Sequence, residues 1–445
     1  VSSSSSSSTA SSSGTISNGK KDPSEEYAEY SSCGRAFYPR DIYYDSEVKK
    51  LLEELRVLKR DEIDVETETE TDAESKSKSK SKKSIGFLKR SGGKYSGTLT
   101  LIGYKGGPLE SQINQDRAVV VSPFWVGDEG KESESDGDGE WNNSNRNSTS
   151  RLIGCFDGHA RLGEVVSEYV VKELPKLLAS KLGQLQPNSS NDPKEISRAI
   201  TETFIEMDKT APAEISGGCT ASVVLQRGSK LYVANAGDSR SFVVVYRASK
   251  KTAEVICISR EDKPSLPDER ERVEKAGGKV FLPPAGTSRV LYTDPESGLT
   301  SGLAMSRSIG DWEVGKLGVI PDPIVEVIDI EEVVVAQTHS DSNSNGNDDH
   351  DNDNDDDDVC IFAVSATDGL MDYTTPEGIA AVLAMSMYEK DGPHLLTAME
   401  QLIYLAAAGW ERAKRGTYRD DIAIAVSQVR IPPSFFATHN KNKNS

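Results

Sequence analysis

The chain has 445 residues, 28% charged and 36% hydrophobic, with a formal net charge of −19. Such an acidic balance excludes nucleic-acid phosphate and anionic membrane surfaces as main partners, because both need clustered Lys and Arg. No run of 18 apolar residues is present, so no transmembrane helix is expected.

In chain order, residues 1–40 are Ser-rich and poor in aliphatics, a composition that favours disorder. The start at Val1 has neither the basic nor the apolar segment of a secretory signal. Val48, Leu51, Leu52, Leu55 and Leu58 recur at three- and four-residue steps, which predicts a short amphipathic helix over about 45–60 with Ser46 as N-cap. Residues 61–84 join an acidic Thr-rich run to a Lys/Ser alternation, a solvated linker. These segments make up an N-terminal region, 1–94, expected to be mostly disordered.

Strand-like runs rich in Val, Ile and Leu follow at 97–103, 117–122, 151–156, 220–225, 230–236, 240–247, 253–259, 324–328, 361–365 and 422–428. Helical patterns interrupt them at 162–182, 193–209, 266–277, 376–389 and 393–414. Strands outnumber helices and do not alternate with them one for one, which predicts a layered α+β domain over 95–432. Two acidic inserts, about 127–150 and 339–358, fall between strand-like runs and are expected to be surface loops. The second has nine Asp and no Lys or Arg. A short tail, 433–445, closes the chain.

Five cysteines are present, with no CxxC pair, and four sit in or beside apolar runs. They read as reduced, mostly buried thiols of an intracellular protein, cytoplasmic or nuclear. None has a histidine in a nucleophile-like context.

Four carboxylates stand at the mouths of apolar runs: Asp157 after LIGCF, Asp238 after LYVANAG, Asp368 after IFAVSAT, and Asp420 just before IAIAV. Any one alone reads as a turn or cap residue. Together they point to a cluster that stays ionised only around a cation. Oxygen ligands select Mg2+ or Mn2+ over zinc, and the chain has only five His and no HxxxH pair. Gly158 and Gly369 directly follow two of these Asp, which would let a backbone carbonyl or a water approach the same ion. His159 beside Asp157 reads either as a packing histidine or as a proton donor at the rim.

The motifs NQDRAVV (114–120), CFDGHA (155–160), GGCTASVVL (217–225), LYVANAGDSRS (231–241), GLAMSRSIGD (302–311), VSATDGLMD (364–372) and RDDIAIAV (419–426) occur in that order. Together they resemble the metal-dependent Ser/Thr phosphatases, the protein phosphatase type 2C family. The resemblance spans about 97–431. It implies a four-layer α-β-β-α sandwich, with two antiparallel β-sheets flanked by helices and a metal site at one end. It also implies a monomer that acts on phosphoserine and phosphothreonine of a phosphoprotein substrate. By the same resemblance Asp157 bridges two Mg2+ or Mn2+ ions, the Gly158 carbonyl meets one of them, and Asp368 and Asp420 ligate the second. Asp238 and Asp372, with Asp368, match a weaker third site. Asp116 belongs to the inner cluster, and His159 matches the general acid.

Several positions depart from that pattern. Gln115 replaces Glu, Ala160 replaces Gly, Met371 replaces Trp and Asp421 replaces Asn. Ser111 stands where the phosphate-contacting Arg is usual, leaving Arg117 or Lys105 as substitutes. These departures carry the alternative reading, a catalytically weak or inactive phosphatase-like binding module. Residues 277–311 match the variable flap that shapes substrate choice in the family.

Overall fold

The computed structural model describes residues 96–429, except 109–110, 123, 125–149, 187–189, 215, 248–249, 285, 294–297, 340–358 and 389–394. The expected 45–60 helix, the linker, the tail and nearly all of both acidic inserts lie outside the described residues.

Two five-stranded antiparallel sheets stack face to face. The first contains β1 (Ser96–Leu101), β16 (Ile422–Gln428), β15 (Val359–Ala366), β8 (Arg240–Arg247) and β9 (Thr252–Ile258), in that spatial order. The second runs β14 (Ile324–Asp329), β7 (Lys230–Ala236), β6 (Ala221–Arg227), β3 (Arg151–Phe156) and β2 (Arg117–Val121). Helices α1 (Gly163–Gly183) and α2 (Pro193–Thr210) cover the second sheet. Helices α6 (Asp368–Met371), α7 (Pro376–Tyr388) and α8 (Leu395–Lys414) cover the first. The expected four-layer sandwich is the observed one.

Alternation along each strand explains the unbroken apolar runs. On β8, Phe242, Val244 and Tyr246 face the helices, while Val243 and Val245 face the other sheet. On β16, Ile422, Ile424 and Val426 face the covering helices, and the small Ala423 and Ala425 fill the space between sheets. Both faces are dry over 242–246 and 422–426, so no polar alternation appears there. Each fully buried Val, Leu or Ile contributes about 1.5–3 kcal/mol through this burial.

The centre is not wholly apolar. Ser222 of β6 bonds Ser241 of β8 at 2.8 Å, and Ser241 bonds Ser365 of β15 at 2.7 Å. Thr220 and Ser239 add a second hydroxyl pair at 2.6 Å. These bridges lie near one end of the sandwich, where the sheets must stay in register for the acidic residues beyond them.

Smaller elements went unread in the sequence. A ribbon joins β4 (Gly158–His159), β5 (Gly218–Cys219) and β13 (Ile309–Gly310). The segment expected to be a flap forms a meander of β10 (Lys279–Phe281), β11 (Arg289–Thr293) and β12 (Thr300–Leu303). It packs on α3 (Pro267–Lys275) and α4 (Trp312–Gly315) through Val273, Val290, Leu303 and Val314. Helix α5 (Ile330–His339) leads into the second acidic insert.

Candidate metal centre

Antiparallel order brings the acidic residues together. Asp157 follows the end of β3, Asp238 lies between β7 and β8, and Asp368 follows β15. Asp116 precedes β2 and Asp420 precedes β16. The registers Arg117↔Phe156, Ala221↔Ala236, Ala366↔Arg240 and Leu101↔Ile422 set all these strand termini at one end.

One ligand oxygen from each of Asp157, Asp238 and Asp368 falls within 4.8 Å of the others. Asp116 is 1% exposed, and neither of its carboxylate oxygens accepts a well-formed hydrogen bond. Asp238 Oδ1 and Asp368 Oδ1 are likewise buried without a donor. Burial, then repulsion from Asp238, Asp420 and Asp372, pushes the Asp368 carboxyl up to about 8. Burial and neighbouring carboxylates also hold Asp116 and Asp157 well above the usual range. Buried acceptors that repel one another and lack donors fit a hard divalent cation.

Asp420 is placed differently. Its Oδ1 accepts from Lys105 Nζ at 3.1 Å and from the Asp421 backbone at 3.0 Å, and its Oδ2 accepts from the Tyr418 hydroxyl at 2.8 Å. Asp372 is exposed, one turn beyond Asp368, and outside the close trio.

The glycines have a reason the sequence did not show. A Cβ on Gly158 would collide with the Gly163 carbonyl oxygen and lie 2.6 Å from that of Gln115. A Cβ on Gly369 would collide with the Asp421 carbonyl oxygen. Both residues are small because backbone passes against backbone, which is what carries Asp157 and Asp368 so close to their neighbours.

His159 is held by a residue that sequence reading did not single out. The β4–β5–β13 ribbon sets Asp311, just past β13, against the imidazole, with His159 Nε2 2.6 Å from Asp311 Oδ2. Ser308 donates to the same oxygen at 2.7 Å. Asp311 adopts φ 53°, a left-handed conformation that Asp tolerates better than most residues. Burial alone would push the imidazole down, but the charge and hydrogen bond of Asp311 hold it above its ordinary value. His159 Nδ1 remains without a partner.

The departures at 111–117 also find places. Gln115 Nε2 donates to the Ala160 carbonyl and to Glu164 Oε2, both at 3.0 Å, so its amide nitrogen is spent at the entrance of α1. Arg117 is engaged by Glu168 at 2.6 Å, and the Ser111 hydroxyl donates to Pro108. Asp421 accepts from the backbone of Gly103 at 2.6 Å and of Gln115 at 3.1 Å, a clamp between strands. Among the described residues, the cations in direct contact with the site acids are Lys105 and Lys263, the second on Asp238 at 2.7 Å. Lys263 had no signal in the sequence, where it is one lysine in a mixed-charge loop.

A two-sheet sandwich that converges carboxylates beside a histidine is the architecture of a metal-dependent phosphatase. The family model described as Protein phosphatase 2C matches residues 129–408, a span that includes Asp157, His159, Asp238, Asp311, Asp368 and Asp372. Probable protein phosphatase 2C 41 of Arabidopsis thaliana is 27% identical over 329 residues, covering 71% of this chain and 78% of its own. Probable protein phosphatase 2C 48 of Oryza sativa subsp. japonica is 27% identical over 349 residues, covering 73% and 82%. In fold, the chain is similar to the crystal structure of a serine-threonine phosphatase 2C from Toxoplasma gondii, with a TM-score of 0.52 and 15% identity over 76% of this chain and 95% of that one. The chain belongs to the protein phosphatase 2C family, and its function is that of a metal-dependent serine/threonine phosphatase. No helix among the described residues is long and apolar enough to cross a membrane.

Proposed function

We propose that residues 95–432 form a monomeric catalytic unit that hydrolyses phosphoserine and phosphothreonine with two Mg2+ or Mn2+ ions. Asp157 with the Gly158 carbonyl, Asp368 and Asp420 would hold the two ions, and Asp238 and Asp372 would join Asp368 at a third, weaker site. When bound, such cations supply an activated water and offset charge on the phosphate oxygens. The observation that carries this reading is the approach of Asp157, Asp238 and Asp368 within 4.8 Å while buried oxygens of Asp116, Asp238 and Asp368 lack donors.

The chain's own residues do the rest. Asp116 orients water from the interior of the cluster. Asp311 fixes the His159 ring through Nε2, which leaves Nδ1 to give its proton to the departing Ser or Thr oxygen. Cys155 and Cys219 do not serve as nucleophiles: both are buried, and burial pushes the Cys219 thiol well up.

The test is phosphate release from a phosphothreonine peptide, with Mn2+ and with chelator. Turnover that needs the metal and disappears in Asp157→Asn is expected. Equal rates in chelator would overturn the reading.

A further inference from the structure

Two ammonium groups already sit on the acidic residues that a cation would use. Lys263, in the loop between β9 and α3, places Nζ 2.7 Å from Asp238 Oδ2. Lys105 follows the bridge between Tyr104 and Arg419, a register that sets it beside Asp420. Its Nζ lies 3.1 Å from Asp420 Oδ1, 3.0 Å from Asp421 Oδ2 and 3.3 Å from Gln115 Oε1. The two lysines share no carboxylate in direct contact. The side chain of Lys263 is 25% exposed and that of Lys105 is 35% exposed, so each flexible stem has a way out to solvent.

We propose that Lys105 and Lys263 are tethered counter-ions that occupy carboxylates destined for divalent cations and swing out as those cations enter. The proposal rests on the assignment of Asp157, Asp238, Asp368 and Asp420 as ligands. Several carboxylates buried together repel one another, and an internal ammonium lowers that repulsion while the site is empty. The same ammonium competes with and repels an incoming cation. It therefore sets a threshold for loading.

The contacts also divide the sites between the two lysines. Asp420 has both oxygens engaged, by Lys105, Tyr418 and the Asp421 backbone, so Lys105 must leave before that carboxylate can join Asp157 and Asp368 around the two principal ions. Asp238 and Asp368 each keep one oxygen without a donor, so the third, weaker site needs only Lys263 to move from Asp238. Lys105 guards the principal pair, and Lys263 guards the third site.

The experiment is a calorimetric Mn2+ titration of the full chain after chelator treatment, paired with thermal melts in chelator. Lys105→Gln is expected to tighten the stronger Mn2+ binding about tenfold or more, and Lys263→Gln to tighten the weaker binding by a similar factor. Lys263→Arg and Lys105→Arg keep the charge and should stay near the parent affinities. Both Gln variants should melt earlier in chelator and recover with Mn2+. If a Gln variant does not melt cooperatively, Lys263→Met or Lys105→Met, which keeps the apolar stem, replaces it. Unchanged or weaker Mn2+ binding in either neutral variant overturns the proposal. Undiminished Mn2+ binding in Asp157→Asn would instead remove the ligand assignment, and the proposal with it.

Discussion

The strand-end cluster and the loop-helix junction at 260–272 both bury carboxylates, but only at the second do several arginines converge on one of them. Glu269, fully buried on α3, accepts from Arg260 Nη2 at 2.6 Å, Arg307 Nη2 at 2.7 Å, Arg272 Nη2 at 2.6 Å and Ser306 Oγ at 2.5 Å. Burial would raise its carboxyl, yet these partners pull it down to about 2. At the cluster, Asp157 and Asp368 are pushed up instead. Burial is common to both places, so what separates Glu269 from Asp157 and Asp368 is the number of donors converging on it. A carboxylate matched by arginines completes the fold, and one left short of donors is open to a ligand.

Neutral substitution at each place is the direct way to break this contrast. Asp157→Asn or Asp368→Asn should cost about a thousandfold or more in phosphopeptide turnover, because a cation ligand is lost. In chelator, the melting temperature of either variant should be no lower than that of the parent, since a repelling charge has gone. Glu269→Gln should do the reverse. It strands Arg260, Arg272 and Arg307 without their shared partner and should cost about 3–5 kcal/mol of stability, read by denaturant unfolding. A stable Glu269→Gln protein, or an Asp157→Asn protein that unfolds early, would erase the distinction.

Acid sharpens the same point. The groups facing Glu269 are Arg260, Arg272, Arg307 and Ser306, with Asp262 and Asp268 nearby. Because the folded Glu269 carboxyl sits at about 2 against an ordinary 4.5, its stabilisation is complete above pH 4.5 and is lost as pH falls toward 2. Asp262 has the opposite sign. Burial raises it from 3.8 to about 6, so protonation below pH 6 relieves a cost. Unfolding measured against pH in the parent and in Glu269→Gln should therefore differ most above pH 4.5 and converge toward pH 2.

Much of this was legible in the sequence. Ten strands and five long helices announce themselves by apolar alternation and helical spacing, because β8, β15 and β16 are dry on both faces. Asp157, Asp238 and Asp368 stand out as acids that end buried runs. Among the elements that went unread, β4, β5 and β13 have two residues each, too short to carry a period. Asp311 therefore gave no sign of meeting His159, since only the pairing of that ribbon joins positions 152 residues apart. The contacts of Lys263 and Asp421 were silent for a related reason. Their roles depend on which loop lies over which strand end, and local sequence does not encode that. The small size of Gly158 was legible, but its cause, backbone crossing at the α1 entrance, was not.

Asp311→Asn tests that ribbon with a smaller effect. The amide keeps the shape but loses the charge that steadies the His159 ring. Turnover of phosphothreonine peptide should fall about ten- to a hundredfold, with little change for an activated aryl phosphate whose leaving group needs no proton. Mn2+ affinity should hold, because Asp311 lies outside the close trio. An equal loss on both substrates would remove the proton-transfer role from His159 and Asp311 together.

The smallest expected effect isolates backbone from charge. Ala160 sits at φ 60°, where a Cβ costs roughly 1 kcal/mol, and its carbonyl accepts from Gln115 at 3.0 Å. Ala160→Gly should therefore raise stability by about 1 kcal/mol despite the added freedom of the unfolded chain, with Mn2+ affinity unchanged. Denaturant midpoints and the Mn2+ titration read the two quantities separately. If metal affinity moved while stability did not, the turn after His159 would be shaping the carboxylates, and charge matching alone would no longer explain how the two buried acidic regions differ.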